Sequence, residues 1–124
     1  MCYNPVMAVE IPGVDAEKGL ELYDDDLDLY MIILRSYVTN TPAVLDALRT
    51  VTAENLAEYA ATIHGIKGTS ATIGAEETRQ AAANLEAMAK AGDLEGVMTG
   101  NGAFLKQAEA LVAAIRAWLE ENEE

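Results

Sequence analysis

Residues 54–73, ENLAEYAATIHGIKGTSATI, predict the helix around which the rest of the chain is organised. The large apolar residues of this run are separated by steps of three and four, which is the spacing of one buried helix face. That face consists of Leu56, Tyr59, Ile63, Ile66 and Ile73, with Ser70 in the remaining position. His64 is the only histidine of the chain, and it lies about 100 degrees around the helix from Ile63. We therefore expect its imidazole ring at the edge of the buried face, in reach of solvent.

The neighbours of His64 on this helix are small. Positions three and four residues away share its side of the helix, and apart from Lys67 none of them carries more than a methyl group. These small neighbours are Ala60, Ala61 and Gly68, with Ala57 and Ala71 one turn further out. Gly65 and Gly68 each cost the helix up to about 1 kcal/mol relative to alanine, and close approach by another molecule would explain them. The predicted partner-contact residues are Ala60, Ala61, Gly68 and Ala71.

The sequence lacks the residues of several common kinds of site. With one histidine and one cysteine, Cys2, the chain can form neither a multi-histidine metal site nor a zinc finger. A carboxylate site for a hard cation stays open, although no EF-hand spacing supports it. No G-x-x-x-x-G-K-[ST] loop, dinucleotide motif or nucleophile elbow occurs. We therefore predict no metal, no cofactor and no ATP site.

His64 and Lys67 together suit phosphoryl transfer. A neutral imidazole is a competent nucleophile near neutral pH, because one ring nitrogen then carries a free lone pair. Phosphoryl transfer asks of the acceptor mainly positioning and compensation of oxygen charge. Lys67 lies one turn from His64 on the same side of the helix, where its ammonium group can supply that charge. The pair indicates a carrier of phosphoryl groups.

The surrounding pattern resembles that of histidine-containing phosphotransfer (HPt) domains. Their signature H-x-x-K-G-x-[SA]-x-x-x-G-A is matched at His64, Lys67, Gly68, Ser70, Gly74 and Ala75, and the likeness covers about residues 11 to 119. The resemblance implies a helical bundle whose His64 accepts a phosphoryl group from a receiver-domain aspartate and passes it to another such aspartate. It also implies that Lys67 neutralises the phosphate and that Gly68 keeps the surface low where the receiver docks.

The resemblance also points to Glu86. In some relatives a glutamate or glutamine corresponding to Glu86 hydrogen-bonds the other ring nitrogen of the histidine, which makes Glu86 a candidate orienting residue. Family members generally use Nε2 as the nucleophile, whereas this sequence alone does not choose between the two nitrogens. The chain departs from the family pattern at Gly65, where a larger or hydroxylated side chain is more common.

Length and composition predict one helical domain. The 124 residues suffice for a single core, the hydrophobic fraction is 51% and aromatic residues are only 6%, which favours closely packed helices. Four amphipathic helices are predicted at residues 26–40, 53–73, 75–91 and 102–121. Short loops make them an antiparallel four-helix bundle over residues 11–124, after a tail of residues 1–10. The predicted fold class is all-α, with additional short N-terminal and connecting helices.

Capping residues predict the ends of the first helices. Asp15 starts a short helix that ends near Tyr23, and Asp26 caps the second helix. Thr41 followed by Pro42 predicts the start of a separate short helix that ends near Thr50.

Similar signals divide the second half of the chain. Thr52 is predicted to cap the histidine helix, and Gly74 to interrupt it. Gly92 is predicted to end the next helix. Residues 93–97 then form a short connecting piece, and Asn101 caps the last long helix.

Charge and cysteine content restrict the partners and the compartment. The chain has 8 basic and 21 acidic residues, a formal net charge of −13, so a nucleic acid or an anionic membrane would repel it. No stretch approaches the roughly 18 apolar residues of a membrane span, and the first residues lack the features of a signal peptide. A single cysteine permits no intrachain disulfide, in agreement with a reducing interior. We expect a cytoplasmic protein and a monomer, since the bundle covers its own apolar faces.

From the resemblance to HPt domains we predict a phosphorelay intermediate in two-component signal transduction, a carrier and not an enzyme. Its partners are response-regulator receiver domains or a hybrid sensor histidine kinase, and the receiver's acidic pocket and Mg²⁺ supply most of the transition-state stabilisation. Two alternatives stay open. One is a bundle that binds a receiver or kinase without transferring phosphate. The other is the phosphoacceptor domain of a chemotaxis-type histidine kinase, phosphorylated from ATP by a separate catalytic domain.

Overall fold

A computed structural model describes residues 9–122, and its regular structure in that range consists of α-helices without strands. The helices are α1 (Ala16–Glu21), α2 (Leu27–Ala47), α3 (Leu56–Ala71), α4 (Glu76–Lys90) and α5 (Leu94–Asn122). The four long helices form a closed ring in which α2 packs on α3, α3 on α4, α4 on α5 and α5 on α2. Short connections make sequential neighbours antiparallel. The all-α four-helix bundle predicted from the sequence is confirmed.

The first two helices begin at the predicted capping residues. Asp15 Oδ1 accepts a hydrogen bond from the Lys18 N–H at 3.2 Å, and Asp26 Oδ1 accepts one from the Leu29 N–H at 3.1 Å. Each carboxylate thereby pairs a donor of the first turn that has no partner inside the helix. The helix start predicted at Asp15 and the cap predicted at Asp26 are confirmed.

The predicted break between Thr41 and Pro42 is wrong, because α2 continues through Pro42 to Ala47. Proline has no N–H group, so its place inside a helix costs up to about 3 kcal/mol. Buried side chains before and after Pro42 stay in one helical register, and their burial offsets that cost. These residues are Leu34, Tyr37, Val38, Thr41 and Leu45. The short helix predicted to end near Thr50 is therefore the last part of α2.

The cap predicted at Thr52 is also wrong, because α3 begins at Leu56. Thr52 bonds Asn55 instead: its N–H donates to Asn55 Oδ1 at 2.8 Å, and the Asn55 N–H donates to Thr52 Oγ1 at 3.1 Å. This reciprocal pair closes the turn before the helix. The threonine hydroxyl is thus already engaged and does not reach the first turn of α3.

Asn101 does not cap a helix but lies inside α5, which runs without interruption from Leu94. Its side chain is buried, donates to the Leu48 carbonyl at 2.8 Å and accepts from the Tyr59 hydroxyl at 2.7 Å. The piece predicted at residues 93–97 belongs to the same helix, because Val97 is buried in register with the apolar residues that follow. Within residues 9–122, neither this longest helix nor any other has the length and apolar content that a bilayer crossing requires.

Among the described residues, the core of the bundle consists of two clusters of buried side chains. The first cluster lies at the end that carries α1 and includes Leu20, Tyr30, Leu34, Ile73 and Ile115. The second cluster lies at the opposite end and includes Leu45, Ile63, Ile66, Leu85 and Phe104. Residues 1–8 of the predicted tail lie outside the described residues, and Val9 is buried in the first cluster.

The predicted interruption at Gly74 is confirmed, and it brings the end of α3 against the start of α1. Gly74 has a φ of +79°, which glycine adopts without the strain that a side chain would add. A Cβ at this position would collide with the backbone carbonyl of Asp15. The Asp15 N–H donates to the Gly74 carbonyl at 2.8 Å. Only a glycine therefore permits this close approach.

Two tyrosines fasten the same end of α3. The Tyr23 hydroxyl donates to the Thr72 carbonyl, and the buried Tyr30 hydroxyl donates to the Ile73 carbonyl, both at 2.7 Å. Burial raises the pKa of Tyr30, so this hydroxyl keeps its proton. Carbonyls that the end of α3 leaves without a helical partner are thus paired by α2 and the segment before it.

Candidate functional site

His64 lies in the middle of α3 with its side chain 63% exposed. Ile63 and Ile66 are buried in the second cluster and fix the rotation of this part of the helix against the core. The ring therefore stands at the edge of the buried face and is accessible to a partner.

Glu86 on α4 reaches the ring from the neighbouring helix. Its Oε2 lies 2.6 Å from Nδ1 of His64, and its side chain is only 5% exposed. A buried carboxylate is stable only when it is paired, because removal from water penalises the charge. Two ammonium groups provide that pairing: Lys67 Nζ lies 2.6 Å from Oε1, and Lys90 Nζ lies 3.0 Å from Oε2.

These contacts keep Glu86 ionised. Hydrogen bonds from Lys67, then from Lys90, outweigh the effect of burial and lower the pKa of Glu86 from 4.5 to about 2. An ionised carboxylate can only accept hydrogen bonds, so Nδ1 of a neutral His64 carries the proton. Nε2 then keeps its lone pair. The contact with Glu86 thus distinguishes the two ring nitrogens, which the sequence alone does not.

Within residues 9–122, no three or more His, Cys, Asp or Glu side chains come together in a way that could hold a metal ion. The groups that the structure brings together at His64 are one imidazole, one carboxylate and two ammonium groups.

Two grooves border α3. The α2–α3 groove is lined by uncharged residues, which include Ile33, Tyr37, Val44, Ala61 and Gly65. The α3–α4 groove contains the charged residues Glu86 and Lys90 and is also lined by Leu56, Ala60 and His64, among others. His64 thus stands between an uncharged surface on one side and a charged one on the other.

The surface between His64 and the α2–α3 groove is low. A Cβ built at Gly65 or at Gly68 would meet no atom within 4 Å, so no contact inside the protein requires either glycine. Their cost to the helix, up to about 1 kcal/mol each, is not recovered by packing within the chain. These two positions leave the helix surface beside His64 open to solvent.

The structure brings His64, Lys67 and Glu86 into one cluster. The predicted partner-contact residues divide into two groups. Ala61 and Gly68 are exposed and Ala71 is half-buried, whereas Ala60 is only 6% exposed because it faces the second cluster. Ala60 therefore contributes the floor of the α3–α4 groove and little accessible surface.

Sequence reasoning missed Lys90. The signal was present, since Glu86 and Lys90 are four residues apart with the glutamate first, which is the favourable order for an ion pair on a helix. The spacing does not reveal that this pair faces His64, because that depends on how α4 packs against α3.

Comparison with known proteins adds one result. No curated protein and no solved structure matches the chain. The family model of the Hpt domain matches residues 32–118, which is well over half of the chain and includes the whole of α3 and α4. The match thus contains His64, Lys67, Glu86 and Lys90, in a bundle of the helical kind that Hpt domains have. The chain belongs to the Hpt domain family, the histidine phosphotransfer modules of two-component signalling.

Proposed function

We propose that this protein relays phosphoryl groups between receiver domains of a two-component phosphorelay, with His64 as the residue that carries them. The observation that supports the proposal most strongly is the contact between exposed His64 and buried Glu86, 2.6 Å from Nδ1 to Oε2. It combines an accessible nucleophile with a fixed orientation. The protein acts as a carrier, and the receiver contributes the rest of the reaction site.

In the proposed reaction, Nε2 of His64 attacks the phosphorus of a receiver's aspartyl phosphate. The N–P bond forms while the bond from phosphorus to the aspartate oxygen breaks, and the electron pair of that bond stays on the aspartate. The proton on Nδ1 remains on the ring, where Glu86 accepts its hydrogen bond and stabilises the positive charge that develops. A second receiver reverses these steps and withdraws the phosphoryl group.

Lys67 supplies positive charge next to the ring. It is 30% exposed and lies one turn from His64, so its ammonium group reaches both Glu86 and the solvent side of the helix. An ammonium group has three N–H donors, and the single contact at 2.6 Å to Oε1 leaves others for phosphoryl oxygens.

We place the receiver on the exposed part of α3 together with the adjoining helix α2. The α2–α3 groove has an uncharged lining, and Gly65 and Gly68 leave the path from it to His64 unobstructed. Leu29 and Ile32 are exposed on α2 and extend the apolar surface toward its N-terminal end. Apolar surface at this position, next to the reactive ring, suits a partner that docks and then releases.

The test is transfer from a phosphorylated receiver. Each receiver domain of the source cell is loaded with labelled phosphate and mixed with the full chain. We expect a label on the protein that acid removes and base does not, the behaviour of a phosphorus–nitrogen bond. The His64→Gln variant should take up no label although it folds normally by circular dichroism.

Lysine variants provide the matched comparison. Lys67→Gln should slow transfer about tenfold or more, because a cation beside the transferring oxygens is removed. Lys106→Gln, at an exposed position of α5 outside the cluster, should transfer at the rate of the unaltered chain. Binding of a receiver without any transferred label would contradict the proposal, as would labelling that only an ATP-bound kinase achieves.

A further inference from the structure

Lys90 is a cation of the site that the His64 motif does not contain. Its Nζ lies 3.0 Å from Oε2 of Glu86, the same oxygen that contacts Nδ1 of His64. It approaches from α4, whereas Lys67 approaches from α3. Two helices therefore each place one ammonium group on a single carboxylate, one on each oxygen.

The two lysine side chains differ in their exposure to solvent. The Lys90 side chain is 65% exposed and that of Lys67 is 30% exposed. A long, exposed lysine holds one partner weakly, because water competes and side-chain entropy opposes the fixed geometry. Lys90 lines the α3–α4 groove together with His64 and Glu86, so it lies beside any group attached to the ring on that side.

Phosphorylation of His64 would change the balance of charge around these two ammonium groups. With His64 unphosphorylated, two ammonium groups face one carboxylate. A phosphoryl group adds about two negative charges and three acceptor oxygens beside them. The more highly charged acceptor then competes with Glu86 for both ammonium groups.

This inference rests on the proposed function: we infer that Lys90 is a second phosphoryl-binding cation, held on Glu86 until His64 is phosphorylated and then shared with the phosphoryl oxygens. As Lys67 and Lys90 turn to the phosphoryl group, Glu86 keeps its contact with Nδ1–H. Formation of the N–P bond leaves the ring with a positive charge. The carboxylate of Glu86, which the lysines then neutralise less, faces that charge. Each negative group of the phosphorylated site is thereby adjacent to a positive one.

The test uses the full chain and needs no receiver. The protein is phosphorylated with phosphoramidate, a small N-phosphoryl donor, and the loss of phosphohistidine is followed by phosphorus NMR after the donor is removed. Lys90→Gln should lose the phosphoryl group about three- to tenfold faster, because the bound phosphoryl group then lacks one of the two cations that pair its oxygens. Lys90→Arg, which keeps the charge, and Lys106→Gln, the exposed control on α5, should retain the normal lifetime.

A spectroscopic readout distinguishes contact from a structural role. The carbon resonance next to the Lys90 ammonium group should shift when His64 is phosphorylated, and that of Lys106 should not. Equal lifetimes for Lys90→Gln and the unaltered chain would overturn the inference while leaving the proposed function intact. Equal acceleration by Lys106→Gln would also overturn it, since net charge would then be the cause. An unaltered chain that accepts phosphate from neither phosphoramidate nor any receiver would refute the proposed function itself.

Discussion

At the scale of single residues, Glu86 organises the site. It contacts His64, Lys67 and Lys90, and it is almost completely buried. These contacts keep it ionised throughout the neutral range, so the group that faces Nδ1 of His64 is a hydrogen-bond acceptor. A neutral amide at this position could present either its oxygen or its nitrogen to Nδ1. The carboxylate removes that ambiguity.

The lowered pKa of Glu86 predicts a specific acid sensitivity. Its pKa falls from 4.5 to about 2 in the folded chain, so its ionised form contributes stability above about pH 4.5. That contribution is lost as the pH falls from 4.5 toward 2. The free energy of unfolding, measured with urea across this window, should therefore fall more steeply for the unaltered chain than for Glu86→Gln.

Two other glutamates, Glu76 and Glu95, serve as controls for this measurement. Glu76, whose pKa is lowered by hydrogen bonds from Lys18 and then Arg79, is present in both proteins and contributes equally. Glu95→Gln, at an exposed position of α5, should follow the unaltered chain. Parallel curves for Glu86→Gln and the unaltered chain would contradict the assigned contacts.

The sequence allowed good prediction of the residues on the histidine helix and poorer prediction of those on α4. His64, Lys67 and Gly68 are related by helical spacing within one segment, so their mutual placement follows from geometry alone. Glu86 and Lys90 reach the site through packing of α4 on α3, which no local pattern encodes. Glu86 was predicted as a candidate only through the resemblance to relatives, and Lys90 was not predicted.

At the scale of elements, α3 combines a buried face with a surface kept low by glycine. Gly65, Gly68 and Gly102 are all helical and exposed, and each has open space where a Cβ would lie, so they form a matched set. Replacement of each by leucine should raise the free energy of unfolding by up to about 1 kcal/mol. Only the two substitutions on α3 should weaken transfer.

The two leucine substitutions on α3 are expected to weaken docking of the receiver. For Gly65→Leu and Gly68→Leu, the receiver concentration that half-saturates the transfer rate should rise about tenfold or more, as a side chain now stands where the partner packs. Gly102→Leu should leave it unchanged. A normal value for Gly65→Leu alone would indicate that the receiver approaches from the α4 side of His64.

A polar contact across the bundle predicts a second effect at this scale. Asn101→Ala would leave the Leu48 carbonyl and the Tyr59 hydroxyl without their buried partner. The free energy of unfolding should fall by about 1–3 kcal/mol, as expected for a buried polar group left unpaired. Asn84→Ala, an exposed asparagine in α4, should change it by less than about 0.5 kcal/mol. Equal urea midpoints for both variants would contradict this role.

Two residues inside long helices show why some helix boundaries were predicted wrongly. Pro42 and Asn101 are typical of helix starts, and both lie inside long helices. In each case the buried residues on both sides share one register, so packing against the core continues the helix through a locally unfavourable residue. The helix start at Asp15 and the cap at Asp26 were predicted correctly, because there the core pattern and the local signal agree.

At the scale of the whole molecule, net charge dominates. The chain has 21 acidic and 8 basic residues, so like charges repel across most of its surface. Raising the ionic strength from about 10 mM to about 300 mM shortens the screening length from roughly 30 Å to below 8 Å. The melting temperature should therefore rise with sodium chloride. A falling melting temperature would mean that surface ion pairs contribute more than this repulsion costs.

The bonds that tie α1 and the start of α2 to the end of α3 decide where this module can be excised for expression or fused to another protein. The family match begins at residue 32, within α2, and so omits Asp15, Tyr23 and Tyr30. A fragment trimmed to that limit would lose every donor described here for the carbonyls of Thr72, Ile73 and Gly74. Hybrid proteins that include this module should therefore carry the chain from Val9 onward, because that junction keeps the histidine helix anchored at its far end.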